Sequence, residues 1–281
     1  MLKTLRKHVV DKIASRHIAG PDLSDALDVC RWTERQGIKS NVSRWAHPED
    51  SIETMFVHYA AILKSIRENS LNSFLGVKLG AIGDDYGRFN ELVHIAREND
   101  VRLHVDSFGP ESASLNFNFL EKAAGVYDNL GCTLPSRWRR SLGDVDRALE
   151  LGLKVRVVKG QWPDSDNSKL DCRDNYLAIV RKLAGRARQV GVATHDYRLA
   201  KEALQFLSAS KSEFEMQQYF SMPLNGRSLS QSFGCPYRIS LAYGYAYLPY
   251  NVRFIVSRPG MISWIISDYV LKPARPWLSR G

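Results

Sequence analysis

The segment Val155 to Trp162, Val-Arg-Val-Val-Lys-Gly-Gln-Trp, places two cations, a glycine and an aromatic at the end of an apolar run. A buried strand has little reason to carry Arg156 and Lys159 unless an anionic or polar group meets them, because an unpaired buried charge is costly. Gly160 has no side chain to keep a ligand from the backbone. Similar endings recur along the chain: Lys78 after Gly76-Val77, Asp106-Ser107 after Val101 to Val105, Thr194-His195-Asp196 after Val190 to Ala193, and Tyr243-Gly244 after Tyr237. Cations of this kind hold a carboxylate or a phosphate, and the carboxylate and imidazole shape and orient what they hold. The seven histidines and four cysteines are scattered, with no H-E-x-x-H and no C-x-x-C, so no metal and no disulfide framework are expected.

These endings need a scaffold that gathers them. Short β-branched runs lie at Ile38 to Ser43, Phe74 to Leu79, Val101 to Val105, Gly131 to Leu134, Val155 to Val158, Val190 to Ala193, Phe214 to Tyr219 and Tyr237 to Tyr243. Between them run segments of helical spacing. Ile52, Met55, Phe56, Tyr59, Ile62 and Leu63 recur every three or four positions. Leu92, Val93 and Ile95 precede a stop at Asn99, Asp144 to Leu151 precedes Gly152, and Leu177, Val180, Leu183 and Ala184 form a further stripe. Alternating strands and helices without a long linker predict an α/β protein, a (β/α)8 TIM-like barrel, whose strand C-termini carry the functional groups. A doubly wound open sheet is the second choice, and it lacks the expected G-x-G-x-x-G after the first strand. The expected division is an N-terminal helical segment over residues 1–36 and a barrel over residues 37–281 with a closing C-terminal helix, together a single domain.

The 281 residues are 44% apolar, enough for one large core, and carry 39 basic against 30 acidic residues for a net charge of +9. That balance favours anionic partners, but the charge is dispersed and does not form a nucleic-acid-binding arm. Arg137 to Arg140, the densest patch, is expected to be a solvated helix start. Met1 to Gly20 is basic without a continuous apolar core, which suits an amphipathic first helix better than a secretory signal. No run reaches membrane-spanning length, so a cytoplasmic protein is expected; Trp264 to Trp277 is expected first as a helix covering the barrel mouth and second as a peripheral contact at a membrane's inner face.

The strand-end residues also resemble a known family. Val155 to Trp162 is similar to the Arg-Leu-Val-Lys-Gly-Ala-Tyr-Trp strand of the proline dehydrogenases, Gly76-Val77-Lys78-Leu79 to their Ser-Val-Lys-Leu, and Val105-Asp106 to their Ile-Asp. Thr194-His195-Asp196 resembles Thr-His-Asn, and Glu213 to Met216 resembles Glu-Phe-Gln-Met. Arg139 to Leu142 with Asp144, Tyr243-Gly244, Pro249-Tyr250, Arg253 and Arg258-Pro259 follow in the family's order, over about Asp22 to Pro259. The resemblance implies an FAD-binding barrel of the proline dehydrogenase type. Its cofactor residues would be Arg156, Val158, Lys159, Gly160, Trp162, Thr194 and His195. Lys78, Asp106 and Arg253 would serve catalysis, and the substrate pocket would add Tyr243 and Phe254.

Departures from the family fall mostly on the substrate side. The closing Arg-Arg-x-x-Glu reads Arg253-Phe254-Ile255-Val256-Ser257, so the second arginine and the glutamate are gone. Ser240 stands where the ring-packing tyrosine belongs, Ser43-Arg44-Trp45 where Leu-Gly-Glu belongs, and Pro135 where a flavin-contacting glutamine belongs. Gln161-Trp162 replaces Ala-Tyr. Each lost charge-assisted bond costs about 2–3 kcal/mol of substrate affinity. The resemblance therefore implies an FAD-dependent dehydrogenase that oxidises proline or a proline-like secondary amine or imino acid to an imine and passes electrons to a quinone or another carrier. The alternative is a barrel that has lost catalysis and binds a flavin or metabolite in a regulatory or partner-binding role.

Overall fold

The computed structural model describes residues 18–162, 164, 167, 169–220 and 225–245. The expected first helix, the closing helix with Arg253, Phe254 and Ser257, and the segment Trp264 to Trp277 lie outside the described residues. Eight strands close into one parallel barrel in sequence order: β1 (Lys39–Trp45), β2 (Leu75–Val77), β3 (Leu103–Val105), β4 (Leu130–Pro135), β5 (Lys154–Val158), β6 (Gln189–Ala193), β7 (Glu213–Tyr219) and β8 (Tyr237–Gly244). β8 closes onto β1 with Asn41 opposite Ser240 and Arg44 opposite Tyr243. Each of the eight expected runs is a strand.

Helices α2 (Ile52–Glu68), α3 (Tyr86–Glu98), α4 (Ala113–Ala124), α5 (Ser141–Glu150), α6 (Cys172–Leu183), α7 (Tyr197–Ser208) and α8 (Gly226–Ser232) follow β1 to β7 in turn, and α1 (Leu23–Arg35) precedes β1. Their starts are set by side chains that satisfy first-turn amides. Ser51 accepts from Thr54 N, Asp85 from Arg88 N, Asp171 from Arg173 N and Asp174 N, and Asp196 from Leu199 N. Gly152 follows the last residue of the α5 cap at φ +62°, a left-handed position that glycine takes without strain. Residues ahead of α1 tie into the barrel's last strand: Ala19 N donates to Ala242 O at 2.7 Å, and Gly244 N to Gly20 O at 3.0 Å.

Parallel barrel strands are covered by helices outside and filled by side chains inside. The outward set, including Val42, Leu75, Val77, Leu103, Val105, Val155, Val157, Val190, Val192, Ile239 and Leu241, is buried and apolar. The inward set is unusually polar. Arg102, His104 and Asp106 alternate up β3, Arg156 sits on β5, Glu215 and Gln217 on β7, and Arg238 and Ser240 on β8. These long side chains fit because glycines face them. A Cβ at Gly131 would collide with His104 Nδ1 and Arg102 Nη2, and one at Gly191 with Gln217 Nε2.

Candidate active site

The barrel interior is organised from floor to mouth. At the floor, Glu215 accepts a bidentate pair from Arg238, Nε at 2.7 Å and Nη2 at 3.0 Å, and a further bond from Gln217 Nε2 at 2.6 Å. Arg238 and Arg102 flank the Phe74 ring, with guanidinium carbons 4.8 and 4.4 Å from its centroid. Burial alone raises the Glu215 pKa, but Arg238 and then Arg102 outweigh it, so the carboxyl ends below its ordinary value and stays ionised. Burial pulls Arg102 down, and Glu215 opposes the shift.

Above this floor stands the cluster that sequence analysis selected in part. Arg156 Nη2 pairs with Asp106 Oδ1, and Arg156 Nε donates to Thr133 Oγ1 at 3.1 Å. Thr133 Oγ1 also lies 3.3 Å from Asp106 Oδ1 and 2.9 Å from His104 Nε2. Lys78 follows β2 directly and leans over the Phe108 ring, its Nζ 5.4 Å from the centroid. Burial, with help from Arg156 and against the pull of Asp106, lowers the Lys78 pKa. Phe108 meets Trp162 with ring centroids 4.6 Å apart, so the ends of β2, β3 and β5 converge on one rim.

The next rim segment comes from β5 and β6. Lys159 Nζ binds Asp196 Oδ2 at 2.8 Å, while Thr194 Oγ1 accepts from Asp196 N at 3.1 Å and His195 Nε2 accepts from Tyr219 N at 2.9 Å. Gly160 adopts φ +88°, and a Cβ there would meet Pro135 Cβ at 2.8 Å. Val158 shares the inward face of β5 with Arg156. Cations Lys78, Arg102, Arg156 and Arg238 outnumber carboxylates Asp106 and Glu215 along this axis, so an anion approaching the mouth meets a positive field. A small cavity between β4 and helices α4 and α5, lined by Phe117, Leu120, Trp138 and Asp144 among others, opens beside Thr133. Its carboxylate is already paired with Arg140, so the ionisable chemistry concentrates at the mouth.

Two expectations change. Tyr243 does not face the pocket: it is fully buried on the helix side of β8, its hydroxyl 3.2 Å from His58 Nδ1 on α2. The strand's two-residue period explains this, since Arg238 and Ser240 point inward and the odd-numbered residues therefore point out. The Arg137 to Arg140 patch is not simply a solvated helix start. Trp138 is buried with its Nε1 donating to Trp162 O at 2.9 Å, and Arg137 Nε donates to Gly160 O at 2.8 Å, so the patch braces the loop after β5. Asp106 is tied to Arg156 and Thr133. Sequence reasoning missed Thr133, His104, Glu215 and Arg238. The available signal was polar residues at alternating positions within strands expected to be buried. Arg44, one position before the place of the missing first-strand acid, pairs with Asp50 at 2.8 Å.

No family model matches the chain. Curated relatives include proline dehydrogenase 1 of Bacillus subtilis subsp. natto, 23% identical over 278 residues covering 92% of this chain and 91% of that protein. The proline dehydrogenase of Deinococcus radiodurans is 22% identical over 286 residues, covering 94% and 92%. Among solved structures, proline utilization A from Bdellovibrio bacteriovorus, inactivated by N-propargylglycine, superposes with a TM-score of 0.75 at 15% identity over 99% of this chain. Proline utilization A from Corynebacterium freiburgense gives 0.68 at 11% identity over 97%. This chain spans 34% and 35% of those two chains, and the likeness to them is one of fold. With its closed barrel and with Lys78, Asp106 and Arg156 gathered at one mouth, the chain is similar over nearly its whole length to the proline dehydrogenases, from which it diverges widely in sequence.

Proposed function

We propose that this chain is an FAD-dependent oxidoreductase that oxidises a secondary amine or imino acid, proline or a proline-like compound, to the imine, with electrons passing on to a quinone or another carrier. The observation that carries this is the cluster of Arg156, Asp106 and Thr133 with Lys78 on the same rim of the barrel.

The rim residues fit a flavin dinucleotide by the chemistry of their donors. Its pyrophosphate needs cations or backbone amides, and the electron-rich edge of its ring system needs a fixed positive donor once reduced. Arg156 and Lys159 are the cations, Thr194 and His195 follow the end of the adjoining strand, and Gly160 leaves the backbone bare. Pro135 adds no amide donor, so Arg156 carries more of that duty. When bound, FAD supplies the two-electron acceptor for a hydride from the carbon beside the substrate nitrogen.

The chain's own residues do the rest. Lys78 offers a cation to a substrate carboxylate, and its lowered pKa follows from the partly dry position that strengthens such a contact. Asp106 is engaged by Arg156 and Thr133, so it is not a free base, and the amine must arrive neutral with its lone pair ready to expel the hydride. Trp162 and Phe108 give this rim an aromatic wall suited to an apolar ring or substituent. Among the described residues no helix is long and apolar enough to cross a membrane. A quinone acceptor implies contact with a lipid surface, a role we assign to the segment Trp264 to Trp277, outside the described residues.

The test is an absorption spectrum of the purified protein followed by anaerobic addition of L-proline and of N-alkyl and cyclic amino acids. A flavin spectrum that bleaches with one of these amines supports the proposal. A protein that takes up no added FAD removes it. Bound flavin that no amine reduces would favour the lapsed barrel, a reading with less support because Lys78, Asp106 and Arg156 are all in place.

A further inference from the structure

The Arg156–Asp106 pair is the upper end of a hydrogen-bond chain that begins at the barrel floor. Arg102 Nη2 lies 2.9 Å from His104 Nδ1. A guanidinium has only donors, so Nδ1 must accept and the imidazole proton must sit on Nε2. That proton points at Thr133 Oγ1, 2.9 Å away. The threonine oxygen also accepts Arg156 Nε at 3.1 Å, which leaves its own proton for Asp106 Oδ1 at 3.3 Å. One hydroxyl thus makes all three of its bonds, their directions fixed by two obligate donors, Arg102 through His104 and Arg156 directly. A second proton on the imidazole would set Nδ1–H against an Arg102 N–H.

The chain is built into the barrel. His104 is fully buried and packs 5.4 Å from the Phe74 ring centroid. It crosses to β4 only because position 131 is glycine, since a Cβ there would overlap both His104 and Arg102. Arg156, Arg102 and Arg238 surround the imidazole and, after burial itself, keep its pKa well below the ordinary value.

We propose that His104 is a positioning residue for the redox site: its single tautomer orders the Thr133 hydroxyl, and Thr133 holds Asp106 and Arg156 in one arrangement at the barrel mouth. This rests on the flavoenzyme reading above and adds His104 to it, a residue that acts through Thr133.

Thr133→Val removes the hydroxyl at nearly constant shape, Thr133→Ser keeps it, and His104→Leu removes the relay at its source. With a flavin-loaded protein, Thr133→Val and His104→Leu should lower kcat about 10- to 100-fold, the loss expected for a hydrogen bond to a charged group. KM should change by less than about threefold. The midpoint potential of the flavin should shift in Thr133→Val and return in Thr133→Ser. Nitrogen NMR of the flavin-free protein should find His104 as the Nε2–H tautomer, without titration between about pH 5.5 and 8.5. Should His104→Leu fail to fold, the threonine pair and the NMR spectrum still decide. A wild-type flavoenzyme whose Thr133→Val keeps its kcat and potential overturns the inference alone, as does a titrating or Nδ1–H imidazole. A wild-type protein that binds no flavin overturns the functional reading and the inference with it.

Discussion

Arg156 on β5 reaches past β4 to pair with Asp106 at the end of β3, and Thr133 of the intervening strand bonds to both. Three neighbouring strands are thereby pinned at the mouth by polar side chains. The carboxylate has room because the β2 position facing it is Gly76, where a Cβ would lie 3.1 Å from Asp106 Oδ2. Arg156 is only 7% exposed, so Asp106 and Thr133 stand in for the water its guanidinium has lost.

Removing either member of the pair therefore has two effects. Arg156→Ala should cost about 3–5 kcal/mol in urea denaturation, because Asp106 is left as a half-buried unpaired charge. It should also weaken or empty the flavin site. The double variant Arg156→Ala with Asp106→Asn should recover part of the stability but none of the flavin binding. Additive stability losses would show that the two residues do not interact.

At the floor, Glu215→Gln should destabilise the fold by about 3–5 kcal/mol at neutral pH, since Arg238 and Arg102 lose their shared counter-charge. The sign with pH follows from the depressed pKa of Glu215. Its stabilisation is present above the unfolded value of about 4.5 and is lost as pH falls through the lower folded value. Chemical denaturation of both proteins at neutral and acid pH should show the difference shrinking on acidification.

The barrel was legible because a parallel strand covered by helices reads as a β-branched run, and Val155 to Val158 or Val190 to Ala193 needs no tertiary context to be recognised. Lys78, Asp106 and Arg156 were legible because charge at the end of such a run is unusual. Thr133 and His104 were not. Each is a plausible strand residue by itself, and their significance lies in a meeting across the inner wall, set by register and by Gly131. Tyr243 was misplaced for a related reason. Strand ends show which residues reach the rim, but one residue of register decides which face they take.

That correction has its own test. Tyr243→Phe should lower stability by about 1 kcal/mol through loss of the contact between its hydroxyl and His58. Substrate preference should be unchanged, because the ring faces α2. A shift in the ratio of kcat/KM between two cyclic amines would return Tyr243 to the pocket.

His104 predicts a separate acid sensitivity. The folded protein keeps it neutral, burial being the main cause and Arg156 the next, whereas the unfolded chain protonates it below about pH 6.5. The unfolded state then binds more protons, so stability falls as pH drops below that value, by up to about 1.4 kcal/mol per pH unit from this group. His104→Gln should be less stable at neutral pH but show a correspondingly flatter profile between about pH 6.5 and 5. Glu215 adds little slope in this interval, which lies above its unfolded value, so the interval reports His104, while both groups contribute at lower pH.

Lys78 ties substrate binding to pH from the alkaline side. Burial lowers its pKa below the ordinary 10.5, Arg156 adds to the shift, and Asp106 opposes it. An anionic substrate needs the charged form, so affinity should fall once pH rises above this lowered value. The substrate's own amine titrates in the same range, and a cyclic carboxylate without nitrogen, used as an inhibitor, isolates the lysine. Lys78→Met should weaken that inhibitor by about 2–5 kcal/mol while leaving the flavin spectrum intact. Lys78→Arg should bind it with the alkaline fall moved to higher pH, since a guanidinium stays charged there. An inhibitor that binds Lys78→Met as tightly as wild type would place the carboxylate elsewhere on the rim.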